Sequence, residues 1–546
     1  MAEDVPPAAG NLPPMPEVGE VISPKVAKLP APTPPPMKGG VKMTVTALNR
    51  EVQDSVCYGL TCLHAGWDFE AYRHFVIALK GDPDCLMAHW GVGLSLFHGS
   101  ADMTSERDAA LNRMLGLVDR GVGTDLEHRY VFGLAMLLKE GAQEAANVFS
   151  KAAAEYPNDP QLVLLQALLG RGGYDETGDA TPDEEVAEKL VEGLIEKHPD
   201  LTYIKYALLS MRAEAPDLSG DLKMAREVCA ESSEFPPYFH MLGHYEWRTG
   251  HLREAQAAFG WAGDAYAKWM RDTGLGPLDC PGWSKAETYR AVAMASKGDY
   301  ETALAAAAAV AAVEVPAKSA TSDGARMLLW EGKTLPARIL LRRNGAGDLT
   351  AAKETLPSIE TTKGLKETTL AVWSYQALAN VIGAQLAMES KNREAAMLLV
   401  QDISRLGSSF VQTREVATGL GERSYWKRCF NGLETMSTEL FGLMAMSGPE
   451  KDQGSAYNWF LSARGHQRRA SLMMPPTVLM PMEVHISDYL SSKGDWEKAM
   501  EALEEGLKAF PNDYELLTRL EHVAAKAGKP ERSAEAKAVL KKLSGE

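Results

Sequence analysis

Small and apolar residues recur along this chain with a fixed helical spacing. An alanine is followed by an apolar residue four and seven positions later, and by a proline twelve positions later. The spacing occurs at three places: Ala71, Phe75, Ala78 and Pro83; Ala145, Phe149, Ala152 and Pro157; and Ala187, Val191, Leu194 and Pro199. Residues four and seven apart share one face of an α-helix, and proline ends a helix. The pattern therefore predicts the second helix of a recurring helix pair, in which the alanine lets the first helix approach closely.

Short glycine turns precede several of these helices. The run Gly494 to Ala499 reads Gly-Asp-Trp-Glu-Lys-Ala, and the runs Gly298 to Ala303 and Gly250 to Ala255 carry the same signature with changes. The interval between units varies, so loops must interrupt the repeat. We predict an all-α fold, a superhelical solenoid of about ten to twelve antiparallel helix pairs.

The first forty residues are of a different kind. They contain eleven prolines and no apolar periodicity. We predict a Pro-rich disordered leader over residues 1–45, an N-terminal array over 46–315 and a C-terminal array over 316–546 that continues the solenoid. No secretory signal is visible in this chain. An exported or periplasmic location, after removal of a signal that this chain does not contain, and a cytoplasmic location both stay open.

The charge balance and the hydropathy of the chain argue against nucleic-acid binding and against a transmembrane helix. The chain has 57 Lys and Arg against 73 Asp and Glu, a formal net charge of −16. This balance disfavours the phosphate backbones of nucleic acids, so we expect no nucleic-acid partner. The longest apolar run, residues 303–313, is eleven residues long, whereas a transmembrane helix needs about 20. We therefore expect no direct membrane span.

Two stretches resemble a known family. The stretch from Tyr58 to Gly93, and the run His240 to His244 with the turn at Gly250, are similar to repeats of a broad bacterial family of tetratricopeptide-repeat (TPR) proteins. The resemblance covers most of residues 50–315. It implies helical repeats and a role in assembly or binding rather than a defined reaction.

In repeats of this type the first helix of each pair lines the concave face. We set the small residue of the repeat at Gly243 in one helix pair and at Gly93 in another. This register places aromatic, imidazole and guanidinium groups on the concave face. These predicted binding residues are His240, His244, Trp247, Arg248, Trp90 and His98. Such a groove suits an extended peptide or a partner helix, so we predict a protein or peptide ligand there.

The two histidines allow another interpretation. His240 and His244 are four residues apart, a spacing at which two histidines of one helix can share a metal ion. Met241 stands where a metalloprotease has its glutamate base, and the sequence names no third ligand. Motifs for phosphate loops, nucleophile elbows and dinucleotide binding are also missing.

From these observations we predict a non-enzymatic protein-binding scaffold with no catalytic residue, no metal and no cofactor. Two alternatives remain. One is a metal-dependent protein or hydrolase centred on His240 and His244, and the other is a purely structural spacer in an envelope-associated assembly.

Methionine and proline dominate one irregular stretch near the C-terminus. It contains Met473, Met474, Met480 and Met482 around Pro475, Pro476 and Pro481. Flexible methionines form either a contact surface for a partner or a plug between stacked repeats, and the plug is favoured here. The six cysteines include no Cys-x-x-Cys pair, and we predict that most serve as small buried apolar residues.

Overall fold

The computed structural model describes residues 15–97, 103–175, 178–232, 234–316, 320–362, 370–412, 414, 423–449, 453–467 and 471–545. Within these ranges the chain is all-α, apart from one β-bridge between Tyr174 and Ala180. In chain order the helices are α1 (Val18–Val21), α2 (Arg50–His64), α3 (Asp68–Gly81), α4 (Leu86–Ser95), α5 (Thr104–Asp119), α6 (Asp125–Lys139), α7 (Ala142–Glu155), α8 (Pro160–Gly170), α9 (Pro182–Lys197), α10 (Thr202–Arg212), α11 (Leu222–Ala230), α12 (Pro236–Arg248), α13 (Leu252–Thr273), α14 (Pro281–Ser296), α15 (Tyr300–Ala311), α16 (Asp323–Met327), α17 (Leu335–Arg343), α18 (Asp348–Thr355), α19 (Leu370–Glu389), α20 (Arg393–Gln412), α21 (Arg423–Met446), α22 (Ala456–His466), α23 (Met482–Ser492), α24 (Trp496–Ala509), α25 (Tyr514–Lys526) and α26 (Pro530–Ser544).

Helix pairs follow one another along the chain. Counted in order, there are seven pairs from α2 to α15 and five from α17 to α26, so the described residues contain twelve pairs. A π-helical turn, Leu328–Gly332, follows α16. The prediction of an all-α repeat of about ten to twelve TPR-like helix pairs is confirmed for the described residues.

The repeat spacing has a packing cause that involves glycine as well as alanine. A glycine of the first helix faces a buried phenylalanine of the second, and the room for the ring exists because the glycine has no side chain. The pairs that share this geometry are Gly59–Phe75, Gly133–Phe149 and Gly243–Phe259. In each pair the glycine precedes the close-packed alanine of the second helix by twelve residues and the phenylalanine by sixteen.

A methyl group at such a glycine should destabilise the protein. A Cβ at Gly133 would lie 2.3 Å from Phe149, which forces the ring out of its buried site. We expect Gly133→Ala to lower the free energy of unfolding by about 1–3 kcal/mol. Gly193 in α9 is the matched control, because a Cβ there meets nothing within 4 Å. Gly193→Ala should stabilise by up to about 1 kcal/mol. Urea unfolding of both variants measures the difference, and equal effects would contradict the packing role.

The leader is ordered where the structure describes it. Within residues 15–45, two of its carbonyl groups accept from α3: the Tyr72 hydroxyl donates to the Val21 carbonyl over 2.8 Å, and Arg73 donates to the Pro30 carbonyl over 2.7 Å. The prediction of a disordered leader is wrong for this part, because side chains of the helices satisfy backbone groups that the leader cannot pair within itself. The rest of the leader lies outside the described residues.

The chain divides into two compact units. Unit 1 comprises residues 1–173 and 181–207, and unit 2 comprises residues 174–180 and 208–546. The boundary predicted between residues 315 and 316 lies inside unit 2 and stays a prediction. None of the described helices is both long enough and apolar enough to cross a bilayer.

In unit 2 the last helices pack against the middle ones. The Asn512 side chain donates to the Gly250 carbonyl over 3.0 Å, and the Tyr300 hydroxyl donates to the Glu515 carboxylate over 2.6 Å. One apolar core is shared by α13 to α15, α17 and α23 to α26. The inner surface of these helices is therefore buried within the unit rather than left as an open wall.

Candidate functional site

An irregular, non-helical segment of the chain lies inside unit 2. This inner segment, residues 471–481, connects towards α23 and contains the Met-Pro stretch. Met474 and Met480 are buried, whereas the neighbouring Met473 is 41% exposed. The prediction that these methionines plug an interior seam is confirmed for Met474 and Met480.

Side chains of surrounding residues bind the backbone of the inner segment. The carbonyl groups that accept these hydrogen bonds belong to Ser471, Leu472, Pro475, Pro476, Thr477, Val478, Leu479 and Met480. The donors are Tyr289, His240, Arg428, Arg338, Gln467 and Arg342. A buried irregular segment must have its carbonyls satisfied, and here side chains rather than a neighbouring strand satisfy them.

Two arginines and one glutamate form the centre of this site. Arg338 and Arg428 both bind the Glu331 carboxylate, at 2.7 and 3.2 Å. Glu331 lies in the π-helical turn and is buried. Because two guanidinium groups share one carboxylate, the trio carries one excess positive charge. That charge is directed at carbonyl oxygens: Arg428 donates to Pro475 over 2.8 Å, and Arg338 donates to the next two carbonyls over 2.7 and 2.8 Å.

Arg342 joins the inner segment to the C-terminal helices. It donates to the Leu479 carbonyl, and its other terminal nitrogen lies 2.6 Å from the Asp513 carboxylate. Asp513 in turn caps the N-terminus of α25, where it accepts from the Glu515 amide over 3.1 Å. Both members of the ion pair are buried.

His240 is one of the donors to the inner segment. Its Nε2 lies 2.7 Å from the Leu472 carbonyl oxygen, which can only accept, so Nε2 carries the proton. Its ring packs edge-on against Phe259 and Tyr289. Burial lowers the pKa of His240 to about 4, so the imidazole is neutral at pH 7.

His244 lies one helical turn further on α12 and is fully buried. Its Nε2 lies 2.8 Å from the Ala213 carbonyl, which Arg248 also reaches over 3.2 Å. Burial, and then the charge of Arg248, lower the pKa of His244 to about 3. Arg248 donates to the Ala215 carbonyl as well, over 2.6 Å. These two residues therefore fix the loop after α10 rather than face a ligand.

The two predicted tryptophans are also in the interior. Trp247 donates from Nε1 to the Ser296 hydroxyl over 3.2 Å, inside unit 2. Trp90 belongs to unit 1, where its Nε1 donates to the Tyr130 carbonyl over 2.8 Å. Gly93, which set the register for Trp90, faces Leu111 of α5, whereas Gly91 faces Phe75 of the preceding helix pair.

The prediction of an open groove lined by these side chains is wrong. The residues concerned, all buried, are His240, His244, Trp247, Arg248 and Trp90. In unit 2 the positions that the repeat directs inward are covered by the inner segment, by the loop after α10 and by neighbouring helices. His98 lies outside the described residues.

Sequence reasoning missed the arginines that hold the inner segment. A signal was available in α17, where Arg338 and Arg342 stand four residues apart in a helix that is otherwise apolar up to its last residue, Arg343. Two arginines on one buried helical face require carbonyl or carboxylate partners. Arg428 offered no comparable signal, since its helix has polar residues on several sides.

The alternative metal site at His240 and His244 gains no further ligand. Among the residues that the structure describes, no group of three or more His, Cys, Asp or Glu side chains is placed to hold a metal ion. The protonated nitrogen of each imidazole is engaged by a backbone carbonyl. Of the cysteines, five are buried and Cys429 is half-buried.

The similarity of this chain to known proteins is low. No protein-family model and no curated protein matches the chain. The structure of the human IFIT1 dimer with PPP-AAAA aligns at 13% identity and a TM-score of 0.33, covering 92% of each chain. The APC/C hetero-tetramer Cut9-Hcn1 aligns at 12% identity and a TM-score of 0.31, covering 90% of this chain and 87% of that one. The TPR domain of P58(IPK) aligns at 12% identity and a TM-score of 0.20, covering 88% and 99%. Similarities at these scores support no argument about this chain's activity or partners.

Proposed function

We propose that the protein is a non-enzymatic, protein-binding scaffold whose unit 2 recognises extended peptide through the carbonyl groups of its main chain. The observation that carries the proposal is the inner segment, whose carbonyls accept from six side chains of the unit. The chain thus contains a built receptor for a non-helical, proline-containing peptide, occupied by part of itself.

The side chains of the receptor are suited to binding a peptide rather than to catalysing a reaction. Guanidinium groups donate in fixed directions, and Glu331 and Asp513 hold those of Arg338, Arg428 and Arg342 in place. Carbonyl recognition does not depend on side chains, so selectivity would come from the apolar sites that Met474 and Met480 fill. A partner peptide would therefore be extended, would carry proline, and would place flexible apolar side chains at the positions of these two methionines.

Two other functions are less well supported. The metal-dependent alternative lacks a third ligand in the described part of the chain. A purely structural spacer would hold the inner segment permanently and bind nothing in its place. The net charge of −16 argues against nucleic acid as the partner. The experiment must therefore distinguish an exchangeable segment from a permanent one.

Releasing the inner segment should open the receptor to a peptide supplied in trans. Met474→Glu places a carboxylate at a fully buried position, which costs several kcal/mol and should expel the segment. A labelled peptide with the sequence of residues 471–481 is then expected to bind this full-length variant at least about ten-fold more tightly than the wild type. Fluorescence anisotropy measures the binding, and circular dichroism checks that the helices remain.

The neighbouring residue provides a matched control. Met473→Glu introduces the same charge at an exposed position, so it should leave peptide binding at the wild-type level. Adding Arg338→Met to the Met474→Glu variant should abolish capture, because two carbonyl contacts are lost. A helical Met474→Glu protein that binds no peptide would favour the spacer function over the proposal.

A further inference from the structure

A cavity of about 360 Å³ lies in unit 2 beside the inner segment. Its volume is in the range of small-molecule sites in proteins, about 300–1,000 Å³. Its walls come from α17 to α19, α21, the inner segment and α23. It uses none of the predicted histidines or tryptophans and is separate from the carbonyl-binding contacts of Tyr289, His240 and Arg428.

The cavity is apolar inside and polar at its exposed edge. The buried apolar residues in its wall are Leu349, Leu378, Val381, Met436, Leu479 and Met480. The residues of the lining that are exposed to solvent are all polar, namely Asn344, Glu389 and Ser447. An occupant must therefore have an aliphatic body and a polar head.

The charges in the lining favour a cationic head. The guanidinium groups of Arg338 and Arg342 are already engaged, since they pair with Glu331 and Asp513 outside the cavity and donate to the Pro476 and Leu479 carbonyls. The remaining ionisable groups are the Glu389 and Glu439 carboxylates and the His485 imidazole.

Within the part of the chain that the structure describes, neither carboxylate has a lysine or arginine partner. Glu439 is buried and lies 2.9 Å from His485 Nε2, which is its one ion-pair partner among the described residues. Glu389 forms no ion pair within the same described ranges. An ammonium group would supply a cationic partner for these carboxylates.

Two buried polar atoms of the lining also lack partners. The Nε–H of Arg342 and the Thr477 hydroxyl have no hydrogen-bond partner among the described residues. Buried donors of this kind are costly unless an acceptor meets them. A hydroxyl or carbonyl oxygen on the occupant would provide that acceptor.

We propose that this cavity binds an aliphatic ammonium ligand that also carries a hydroxyl or carbonyl oxygen. The ammonium binds the carboxylate of Glu439, the chain fills the apolar wall around Leu378 and Val381, and the oxygen accepts from Arg342 or Thr477. The site shares Arg338, Arg342 and the inner segment with the proposed peptide receptor, but its ligand binds with the inner segment in place and requires no partner peptide.

Three probes of equal chain length test the proposal on the full-length wild-type protein by isothermal titration calorimetry. They are 2-aminooctan-1-ol, octan-1-ol and octanoate, used below their micelle concentrations. We expect the amino alcohol to bind at least about ten-fold more tightly than the alcohol, and octanoate to bind most weakly. Octanoate binding as tightly as the amino alcohol would overturn the proposal, and so would a failure of all three probes to bind.

Variants locate the binding. Glu439→Gln keeps the side-chain shape and removes the charge, so the amino alcohol should fall to the affinity of the alcohol. Leu378→Trp fills the cavity and should abolish binding of all probes. Glu354→Gln alters an exposed carboxylate of α18 outside the lining and should change nothing. Unchanged affinity in a folded Glu439→Gln protein would overturn the assignment even if the tryptophan variant fails to fold.

Discussion

Replacing Arg342 by methionine is expected to lower the free energy of unfolding of unit 2 by about 3–5 kcal/mol. The substitution leaves Asp513 buried without its counter-ion, and it leaves the Leu479 carbonyl without its donor. Methionine fills much of the arginine's volume, so the loss reflects the uncompensated charge more than a cavity. Urea unfolding, followed by hydrogen exchange in α25, measures the effect where the ion pair joins the C-terminal helices.

The partner substitution and an exposed pair control this experiment. Adding Asp513→Asn removes the buried charge and keeps an N-cap for α25, so the double variant should recover about half of the lost stability. Lys508→Met breaks an ion pair with Glu505 that is largely solvent-exposed, and should leave stability close to the wild-type level. Equal losses from Arg342→Met and Lys508→Met would contradict the role assigned to the buried pair.

The pH dependence of the Arg342→Met variant has a defined sign. Burial raises the pKa of Asp513 even though Arg342 opposes the shift. Without Arg342 the pKa rises further, so the folded state holds the Asp513 proton at a pH where the unfolded state has released it. As the pH falls, the free energy of unfolding of the variant therefore rises relative to that of the wild type. The difference between the two proteins should be smaller at pH 5 than at pH 7.

The helix pairs could be predicted from the sequence because the contacts that form them join residues close together in the chain. Ala71 and Phe75, or Ala145 and Phe149, are placed by a spacing within one helix, and their packing partner is the adjacent helix in the chain. The inner segment could not be predicted in the same way. Its contacts join residues such as His240 and Leu472, which are 232 positions apart, and no periodic pattern records a pairing at that separation.

The same argument explains the errors about the leader and the groove. The leader has no periodicity of its own, yet Tyr72 and Arg73 of α3 satisfy its carbonyls. The positions of His240 and Trp247 were assigned from the repeat, which states which helical face points inward but not whether that face is covered. A repeat register is thus enough to predict the fold, but it does not predict whether a residue on the inner face is exposed.

Acidification from pH 6.5 to pH 4.5 is expected to cost unit 2 about 5 kcal/mol through His240 and His244 alone. Burial lowers the pKa of His240 to about 4 and, together with Arg248, lowers that of His244 to about 3. In the unfolded chain both imidazoles take up protons near pH 6.5. The stability that they contribute is therefore present above pH 6.5 and is lost as the pH falls towards their folded pKa values, at about 1.4 kcal/mol per pH unit for each.

His244→Gln isolates one of these two contributions. The glutamine amide can still donate to the Ala213 carbonyl, but it does not titrate, so the loss between pH 6.5 and pH 4.5 should shrink by about 2.3 kcal/mol. Hydrogen exchange of α12 peptides, corrected for the intrinsic pH dependence of exchange, measures the opening free energy at each pH. His522→Gln replaces an imidazole that meets solvent in both states and should leave the loss unchanged. An unaltered slope in the His244→Gln variant would mean that His244 is protonated in the folded protein, which its burial and the adjacent charge of Arg248 oppose.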